Sequence, residues 1–184
     1  IKINYDEPLE IYINRQLNSF FGNCSVGEVP IAKALLKVEK CFSYSANKYF
    51  SVDGMVRFSP LHAVQYSIFI YYLSRVYFLE GNTDTATKLY YLNKMLHSLD
   101  WFYEVKLPEV WCAEHPLCSV LGRAQYSNGL FIYQGTTIGG SHSKYPVLGR
   151  NVLMYSNSSI LGNCRIGDNV ILSAGVTVLD TDIP

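Results

Sequence analysis

Four histidines are the side chains of this sequence best suited to move protons near neutral pH, because the unperturbed imidazole pKa is about 6.5. His62 and His97 lie in segments that read as helices, where we expect a structural role. His115 precedes a proline, and His142 lies in a polar stretch beside Lys144. Two histidines in this second half are too few for a three-histidine zinc site. The five cysteines form no CxxC pair, so we expect neither a metal site nor a disulfide framework.

The elements that must position these histidines change character near residue 100. Further along, an apolar residue recurs every six positions without a break. The expected inward-pointing residues are Leu148, Met154, Ile160, Ile166, Leu172 and Val178, and the small or β-branched residues four positions after the first five are Val152, Ser158, Cys164, Val170 and Val176. This pattern is the hexapeptide repeat of a parallel β-helix, in which each hexad makes one face of a triangular coil. The repeat continues more loosely upstream, from Val120 to Ile138.

One interruption of the repeat is a candidate functional loop. Ile138 and Leu148 are ten residues apart rather than six, so four extra residues bulge out of the segment GGSHSKYP. The bulge carries His142, Lys144 and Tyr145. A solenoid corner tolerates such an insertion without any function, but loops on a rigid scaffold often hold binding residues.

The first hundred or so residues read as helical. The predicted helices run over 31–41, from Leu61 to the stop signal Gly81-Asn82, and from Thr83 to about Leu99. Ser59-Pro60 supplies a capping hydroxyl and an N-terminal proline for the second helix, and Thr83 is the expected cap of the third. We therefore predict an α+β chain, with a helical domain over 1–99 and a left-handed parallel β-helix over 100–184.

The composition narrows the class of protein. With 184 residues, 49% hydrophobic and no net charge, the chain can bury a substantial core and lacks the signature of disorder. Because the net charge is zero, the chain also lacks the overall positive charge that is typical of a nucleic-acid-binding protein. Only 16% of the residues are charged, against about 25% in a typical chain, so we expect surface to be covered in an oligomer.

The apolar stretch 61–79 is the only candidate for a membrane span. It contains polar side chains such as His62, Gln65 and Arg75, which suit a buried helix better than a bilayer centre. The opening residues do not read as a signal peptide, so we expect none. We expect a cytoplasmic protein without a membrane span.

Three short motifs and their order resemble the serine acetyltransferase family. His62-Ala63-Val64-Gln65 resembles the family's helix motif HALQ, Gln134 to Gly140 (QGTTIGG) resembles QSVTLGG, and Ile160 to Asn163 is the family's ILGN. The resemblance covers about residues 61–184. It implies a hexapeptide-repeat acyltransferase that uses acetyl-CoA as acyl donor, needs no metal, and assembles as a trimer or a dimer of trimers.

The same resemblance implies a catalytic pair. In the family the catalytic histidine follows an acidic residue, about 26 residues before the end of TLGG, and here Glu114-His115 lies 25 residues before Gly140. The family's orienting aspartate lies fifteen residues before its histidine, which is the place of Asp100. The resemblance thus implies His115 as general base, Asp100 as its orienting carboxylate, and Glu114 as a contact to the acceptor.

This assignment is chemically reasonable, because a hydroxyl is a poor nucleophile until a base removes its proton. A carboxylate on the other ring nitrogen fixes the imidazole tautomer and stabilises the imidazolium. Fifteen residues is nearly one coil of the β-helix, so Asp100 is expected about one coil below His115. Glu104 is a second candidate for that carboxylate.

The resemblance also implies contacts to both substrates. Lys144 stands where the family has an Arg-His-Pro-like segment for the substrate carboxylate, and His142 is a second candidate beside it. Acetyl-CoA is expected in a groove between neighbouring β-helices of a trimer, against the backbone of Gly139-Gly140 and Tyr155-Ser156. Glycine permits that close approach because it has no Cβ.

Two departures from the family leave the acceptor open. The family's Asp-Pro element upstream of the helix motif has no counterpart here, and its Arg-His pair has become Lys144-Tyr145. The first expectation is a serine O-acetyltransferase, which converts acetyl-CoA and L-serine into O-acetylserine and CoA for cysteine biosynthesis. The rival is an O-acetyltransferase acting on a sugar hydroxyl in surface polysaccharide assembly. A non-catalytic β-helix scaffold would keep the repeats without the acid–base pair.

Overall fold

The chain divides into two compact units, Ile1–His97 and Ser98–Pro184, in a computed structural model that describes residues 1–44 and 49–184. The first unit is helical with a small sheet, and the second is a parallel β-solenoid of about four turns. The predicted fold class, helices followed by a β-helix, is confirmed.

Within its described residues, 1–44 and 49–97, the first unit contains four helices and three short strands. The helices are α1 (Leu9–Phe21), α2 (Glu28–Ser43), α3 (Ala63–Leu79) and α4 (Thr83–His97). The strands β1 (Lys2–Ile3), β2 (Ser51–Val52) and β3 (Met55–Phe58) form a sheet in the order β1-β3-β2. This sheet was not expected from the sequence, because its strands are too short to show an alternating pattern.

Helix α3 is the centre of the first unit. Its residues 65–74 are buried without a break, so it packs against neighbours on all sides. Helices α2 and α4 both pack against it. Ser74 donates to the carbonyl of Ala86 (2.7 Å), and Asn93 donates to that of Ser67 (3.0 Å), which ties α4 to α3. Within residues 1–44 and 49–184, no helix has the length and apolar character needed to cross a membrane.

The start of α3 differs from the prediction. The helix begins at Ala63 rather than Leu61, because a turn closes first through the N–H of His62 and the carbonyl of Ser59 (3.1 Å). His62 then caps the helix, with Nδ1 accepting from the N–H of Gln65 (3.4 Å). The predicted capping role of Ser59 was therefore wrong.

The boundary between α3 and α4 is close to the prediction. Gly81 has φ of +83°, the left-handed conformation typical of a residue just past a helix end. The cap of α4 is Asn82, whose side chain accepts from the N–H of Thr85 (3.1 Å), and not Thr83. The helix ends at His97, two residues earlier than expected.

The second unit is built from short parallel strands that stack into three faces. Face 1 contains β5 (Trp111–Ala113), β7 (Leu130–Ile132), β10 (Leu153–Met154) and β13 (Ile171–Leu172). Face 2 contains β4 (Asp100–Trp101), β6 (Val120–Leu121), β8 (Thr137–Gly139), β11 (Ser159–Leu161) and β14 (Thr177–Leu179). Face 3 contains β9 (Val147–Leu148) and β12 (Arg165–Ile166). Corner 1 joins face 1 to face 2, and corner 2 joins face 2 to face 3.

The hexad pattern predicts the interior of the β-helix correctly. All six inward candidates are buried: Leu148, Met154, Ile160, Ile166, Leu172 and Val178. Of the small residues at the corners, Val152, Ser158 and Cys164 are buried. Val170 is half-buried and Val176 is exposed.

Candidate active site

Corner 1 has a local insertion in the coil that carries His115. The inward residues on either side of this corner are six positions apart in two later coils, at Ile132–Ile138 and Met154–Ile160. In the coil that carries His115 the corresponding residues, Ala113 and Leu121, are eight positions apart. The two extra residues widen the corner outward, and His115 lies in this widened segment.

The backbone of the widened corner is unusual at His115. This residue has φ of +49°, which few residues other than glycine adopt. Its carbonyl accepts from the N–H of Leu117 (2.7 Å), and the following Pro116 is buried. Because the proline anchors the corner while the histidine side chain is exposed, the imidazole is presented to solvent on a fixed backbone. Such strained positions occur often at functional sites.

Asp100 lies in the coil below this corner. It is half-buried in β4, where its N–H donates to the carbonyl of Ser119 (2.8 Å) and its Cα pairs with that of Val120. The backbone therefore brings Asp100 alongside the end of the His115 corner, about one coil away as expected. Glu104 follows in an exposed turn outside the strand. Which carboxylate orients the imidazole stays a prediction.

A column of three side chains follows corner 1 through successive coils. Glu114, Tyr133 and Tyr155 each come directly after an inward residue of face 1. The ring of Tyr133 stacks on that of Tyr155, with centroids 5.3 Å apart. Burial raises the pKa of Tyr133, and the neighbouring Glu114 carboxylate raises it further. The column thus places Tyr133 between two residues with predicted roles.

Corner 2 carries the bulge that the broken repeat predicts. Ser141 and Lys144 exchange two backbone hydrogen bonds (3.0 and 2.9 Å), so the extra residues form a tight hairpin. His142 and Ser143 at its tip have φ of +49° and +61°, which is the geometry of a type I′ turn. The Ser141 hydroxyl is hydrogen-bonded to Nδ1 of His142 (2.9 Å). His142 and Lys144 are exposed, so both are accessible to a substrate.

The two glycines before the hairpin have different surroundings. A Cβ on Gly140 would lie 2.6 Å from two ring carbons of Tyr145 and 2.9 Å from the carbonyl oxygen of Lys144. A Cβ on Gly139 would meet only a methyl group of Leu161, at 3.9 Å. Gly140 is therefore required by the packing of the chain itself. The outward side of Gly139 is open to an approaching ligand.

The predicted site residues thus fall into two groups at opposite ends of face 2. The group at corner 1 comprises Glu114, His115, Tyr155 and Ser156, with Asp100 alongside. The group at corner 2 comprises Gly139, Gly140, His142 and Lys144. A single β-helix does not bring the two groups together, because the strands of face 2 lie between them.

The sequence assigns no individual role to two residues at corner 1. Tyr133 could have been found from the register, because it occupies the same position after an inward residue as Glu114 and Tyr155 do. Gln134 is the other: its side-chain oxygen is buried and has no hydrogen-bond partner among the described residues. Buried polar atoms without partners are rare and often lie at functional sites, but no sequence pattern reports them.

The two remaining histidines are structural, as expected. His62 caps α3, and burial lowers its pKa. His97 is buried with Nδ1 hydrogen-bonded to the Asn93 side chain (2.8 Å), and burial lowers its pKa to about 4. In the part of the chain that the structure describes, no three histidine, cysteine or acidic side chains cluster as a metal site would need.

Comparison with known proteins supports the fold and the repeat. Residues 145–180 match the family described as bacterial transferase hexapeptide (six repeats). The serine acetyltransferase of Synechococcus elongatus is 33% identical over 101 residues, which is 52% of this chain and 41% of that protein. A putative serine acetyltransferase of Schizosaccharomyces pombe is 20% identical over 153 residues, 80% of this chain and 55% of that one. The chain therefore spans about half the length of these relatives.

Solved structures extend the similarity to both units. The structure of Neisseria gonorrhoeae serine acetyltransferase matches with a TM-score of 0.69 and 24% identity, over 97% of this chain and 75% of that one. Its complex with serine matches with a TM-score of 0.66 and 24% identity, over 96% and 79%. A serine acetyltransferase complex with CoA matches with a TM-score of 0.64 and 19% identity, over 85% and 65%. The chain is thus similar to serine acetyltransferases in sequence and in fold, and its second unit is a hexapeptide-repeat β-helix.

Proposed function

We propose that this chain is an acetyl-CoA-dependent O-acetyltransferase whose acceptor is L-serine. The observation that carries the proposal is the widened corner 1, which exposes His115 on a fixed backbone with Asp100 alongside. The similar structures include one in complex with serine and one in complex with CoA, which supports these two substrates. O-acetylserine and CoA are then the products, and a role in cysteine biosynthesis follows from that chemistry.

The reaction proceeds by direct transfer within a ternary complex. His115 takes the proton of the serine hydroxyl as the oxygen attacks the thioester carbonyl of acetyl-CoA. The tetrahedral intermediate then collapses, the carbon–sulfur bond breaks, and the CoA thiolate receives the proton from the imidazolium. Asp100 orients the ring and stabilises its charged form, in the manner of a serine-hydrolase triad without a covalent intermediate. No metal takes part in this mechanism.

Binding of the two substrates uses the groups at both corners. Glu114 meets the acceptor next to His115, and the exposed Lys144 and His142 supply contacts to its carboxylate. The pantetheine arm of acetyl-CoA lies against the open backbone of Gly139, with Gly140 next to it. Tyr155-Ser156 contacts the same cofactor at corner 1 of a neighbouring chain.

Because corners 1 and 2 are separated by face 2, a trimer or a dimer of trimers completes each site by joining corner 1 of one subunit to corner 2 of the next. Such an enzyme works in the cytoplasm.

A second acceptor class has a specific observation in its favour. Corner 1 carries the stacked rings of Tyr133 and Tyr155 beside the Glu114 carboxylate. Aromatic rings beside a carboxylate also suit a sugar, which offers apolar C–H faces and hydroxyl donors. An O-acetyltransferase acting on a sugar hydroxyl in polysaccharide assembly is therefore the alternative, with the same catalytic pair.

Release of CoA, followed with a thiol reagent, separates these alternatives. Acetyl-CoA is incubated with L-serine in one series, and with nucleotide sugars and free sugars in another. Serine-dependent release supports the first proposal, and release with a sugar alone supports the second. If acetyl-CoA does not bind at all, the chain is a scaffold and both proposals are wrong.

A further inference from the structure

The hairpin at corner 2 brings a hydroxyl and an imidazole into direct contact. The Ser141 hydroxyl oxygen and Nδ1 of His142 lie 2.9 Å apart. In the tautomer that carries its proton on Nε2, the hydroxyl donates to Nδ1, as a nucleophile donates to its general base. Direct transfer from acetyl-CoA to an acceptor at His115 makes no use of this pair.

The backbone of the hairpin fixes the two side chains relative to each other. Ser141 and Lys144 exchange two backbone hydrogen bonds (3.0 and 2.9 Å), and His142 has φ of +49° in the turn. The ring of Tyr145 packs on Gly140, where a Cβ would lie 2.6 Å from two ring carbons, and this contact holds the base of the hairpin. Because the pair is already oriented, little freedom is lost when it reacts.

The pair lies next to the backbone that we place against acetyl-CoA. Ser141 comes two residues after Gly139, whose outward side is open. Gly162 of the next coil adjoins both residues. Its N–H donates to the carbonyl of Gly139 (3.0 Å), and a Cβ on it would lie 3.2 Å from the Cβ of Ser141. The half-buried Ser141 and the exposed His142 therefore border the surface proposed for the pantetheine arm.

We propose that Ser141 and His142 are a nucleophile and its base, and that they give the chain a second activity, the hydrolysis of acetyl-CoA in the absence of an acceptor. This inference rests on the acetyl-CoA binding proposed above. It is separate from the transfer at His115, because Ser141 accepts the acetyl group first and water accepts it second.

The hydrolysis has two steps. In the first, the Ser141 oxygen attacks the thioester carbonyl, Nδ1 of His142 takes the hydroxyl proton, and the carbon–sulfur bond breaks. The CoA sulfur leaves with that proton, and Ser141 carries the acetyl group as an ester. In the second step water attacks the ester and gives a proton to His142. The bond between the acetyl carbon and Ser141 Oγ breaks, the oxygen regains a proton from the imidazolium, and acetate leaves.

Acetyl-CoA supplied without an acceptor tests this activity. Release of CoA is followed with a thiol reagent, and mass spectrometry of the chain should find one acetyl group, on Ser141. His142→Asn keeps a left-handed backbone and should lower the release by at least about 100-fold. Ser141→Ala should lower it as much, because a nucleophile and its base act as a unit. Ser143→Ala, at the exposed tip of the same turn, is the matched control and should leave the release unchanged.

A different result would assign the release to the other histidine. If acceptor-free release persists in Ser141→Ala and is lost in His115→Asn, water simply replaces the acceptor at corner 1. The proposed function then stands, and the role of the Ser141–His142 pair is wrong.

A second measurement detects the nucleophile without acetyl-CoA. A fluorophosphonate reacts with activated serine hydroxyls, with loss of fluoride, and peptide mapping identifies the labelled residue. Ser141 should be labelled in the wild type and unlabelled in His142→Asn, whereas absence of label in the wild type would contradict the pair. If Ser141 is labelled but acetyl-CoA releases no CoA with or without L-serine, the hydrolysis and the acetyl-CoA binding on which it rests are both wrong.

Discussion

The ring of Tyr145 packs directly on the α-carbon of Gly140, so closely that a Cβ there would lie 2.6 Å from two ring carbons. The carbonyl oxygen of Lys144, at 2.9 Å, would be too close as well. Since a carbonyl cannot move away as a flexible side chain can, the shape of the hairpin depends on this glycine. Tyr145 therefore stabilises the loop that presents Lys144 and His142.

Gly140→Ala should displace the hairpin and destabilise the chain by about 1–3 kcal/mol, because overpacking forces the backbone to shift. Gly139→Ala is the matched control, since its Cβ would make only an ordinary contact with Leu161 at 3.9 Å. It should leave stability unchanged and raise the KM of acetyl-CoA, whose arm we place against that backbone. Thermal unfolding and steady-state kinetics of both variants measure these effects. Equal stability of the two would contradict the packing argument.

His115→Asn should lower kcat by at least about 100-fold, because asparagine cannot act as the general base. Asparagine tolerates a left-handed backbone, so φ of +49° can be kept and the melting temperature should hardly change. His142→Asn is a matched comparison at the same φ of +49°, and should change the KM of the acceptor rather than kcat. Near-normal turnover of His115→Asn would show that another group removes the proton.

Ser119→Ala should destabilise the β-helix by about 1–3 kcal/mol. The Ser119 hydroxyl accepts from Nε1 of the buried Trp101 (2.9 Å) and donates to the carbonyl of Pro116 (2.7 Å). Without it the indole N–H is buried with no partner, which is costly. Because Pro116 anchors the corner of His115, kcat should fall too.

Ser158→Ala is the control for this variant. Ser158 makes the same corner contact in a later coil, donating to the carbonyl of Tyr155 (2.7 Å), but no indole depends on it. The backbone N–H of each serine reaches its corner carbonyl as well (3.1 Å for Ser119, 3.2 Å for Ser158), so the variants differ in the indole and the loss for Ser158→Ala should be smaller. Chemical denaturation of the two variants compares them, and a larger loss for Ser158→Ala would refute the explanation.

Low pH should lower the stability of the helical unit because His97 becomes protonated on unfolding. Burial lowers the pKa of this side chain from 6.5 to about 4, so the unfolded chain binds a proton that the folded chain does not between these two values. The contribution of neutral His97 to the free energy of unfolding is therefore complete above pH 6.5. It is lost as the pH drops towards 4, which lowers the free energy of unfolding by about 3 kcal/mol in total. His97→Gln removes the titrating group and should flatten this dependence. The exposed His142→Gln should not, and denaturation curves over this pH range distinguish them.

The repeat is the part of the fold that the sequence determines most fully. Each hexad meets the same steric requirement, since an inward side chain such as Ile160 must fill a prism of constant width. The same pattern of residue types therefore recurs in each hexad. The longer spacing between Ile138 and Leu148 identifies an insertion by counting alone. The helix ends were less predictable, because His62 and Asn82 cap their helices in place of the expected Ser59 and Thr83. Capping depends on local hydrogen bonds that several neighbouring residues could make equally well.

By itself, the sequence determined the class of fold, the solenoid interior, the insertion at corner 2 and the candidate chemistry of His115 and Asp100. Only the tertiary structure decided which side chains meet across coils. Tyr133 lies next to Glu114, nineteen residues earlier, because parallel strands stack one coil upon another. The tertiary structure also places the predicted site residues at two separate corners. The physical reason is that the position of a residue in its hexad fixes whether its side chain points inward or outward. Which outward side chains become neighbours in adjacent coils depends on the number of residues in every corner between them, and that number varies.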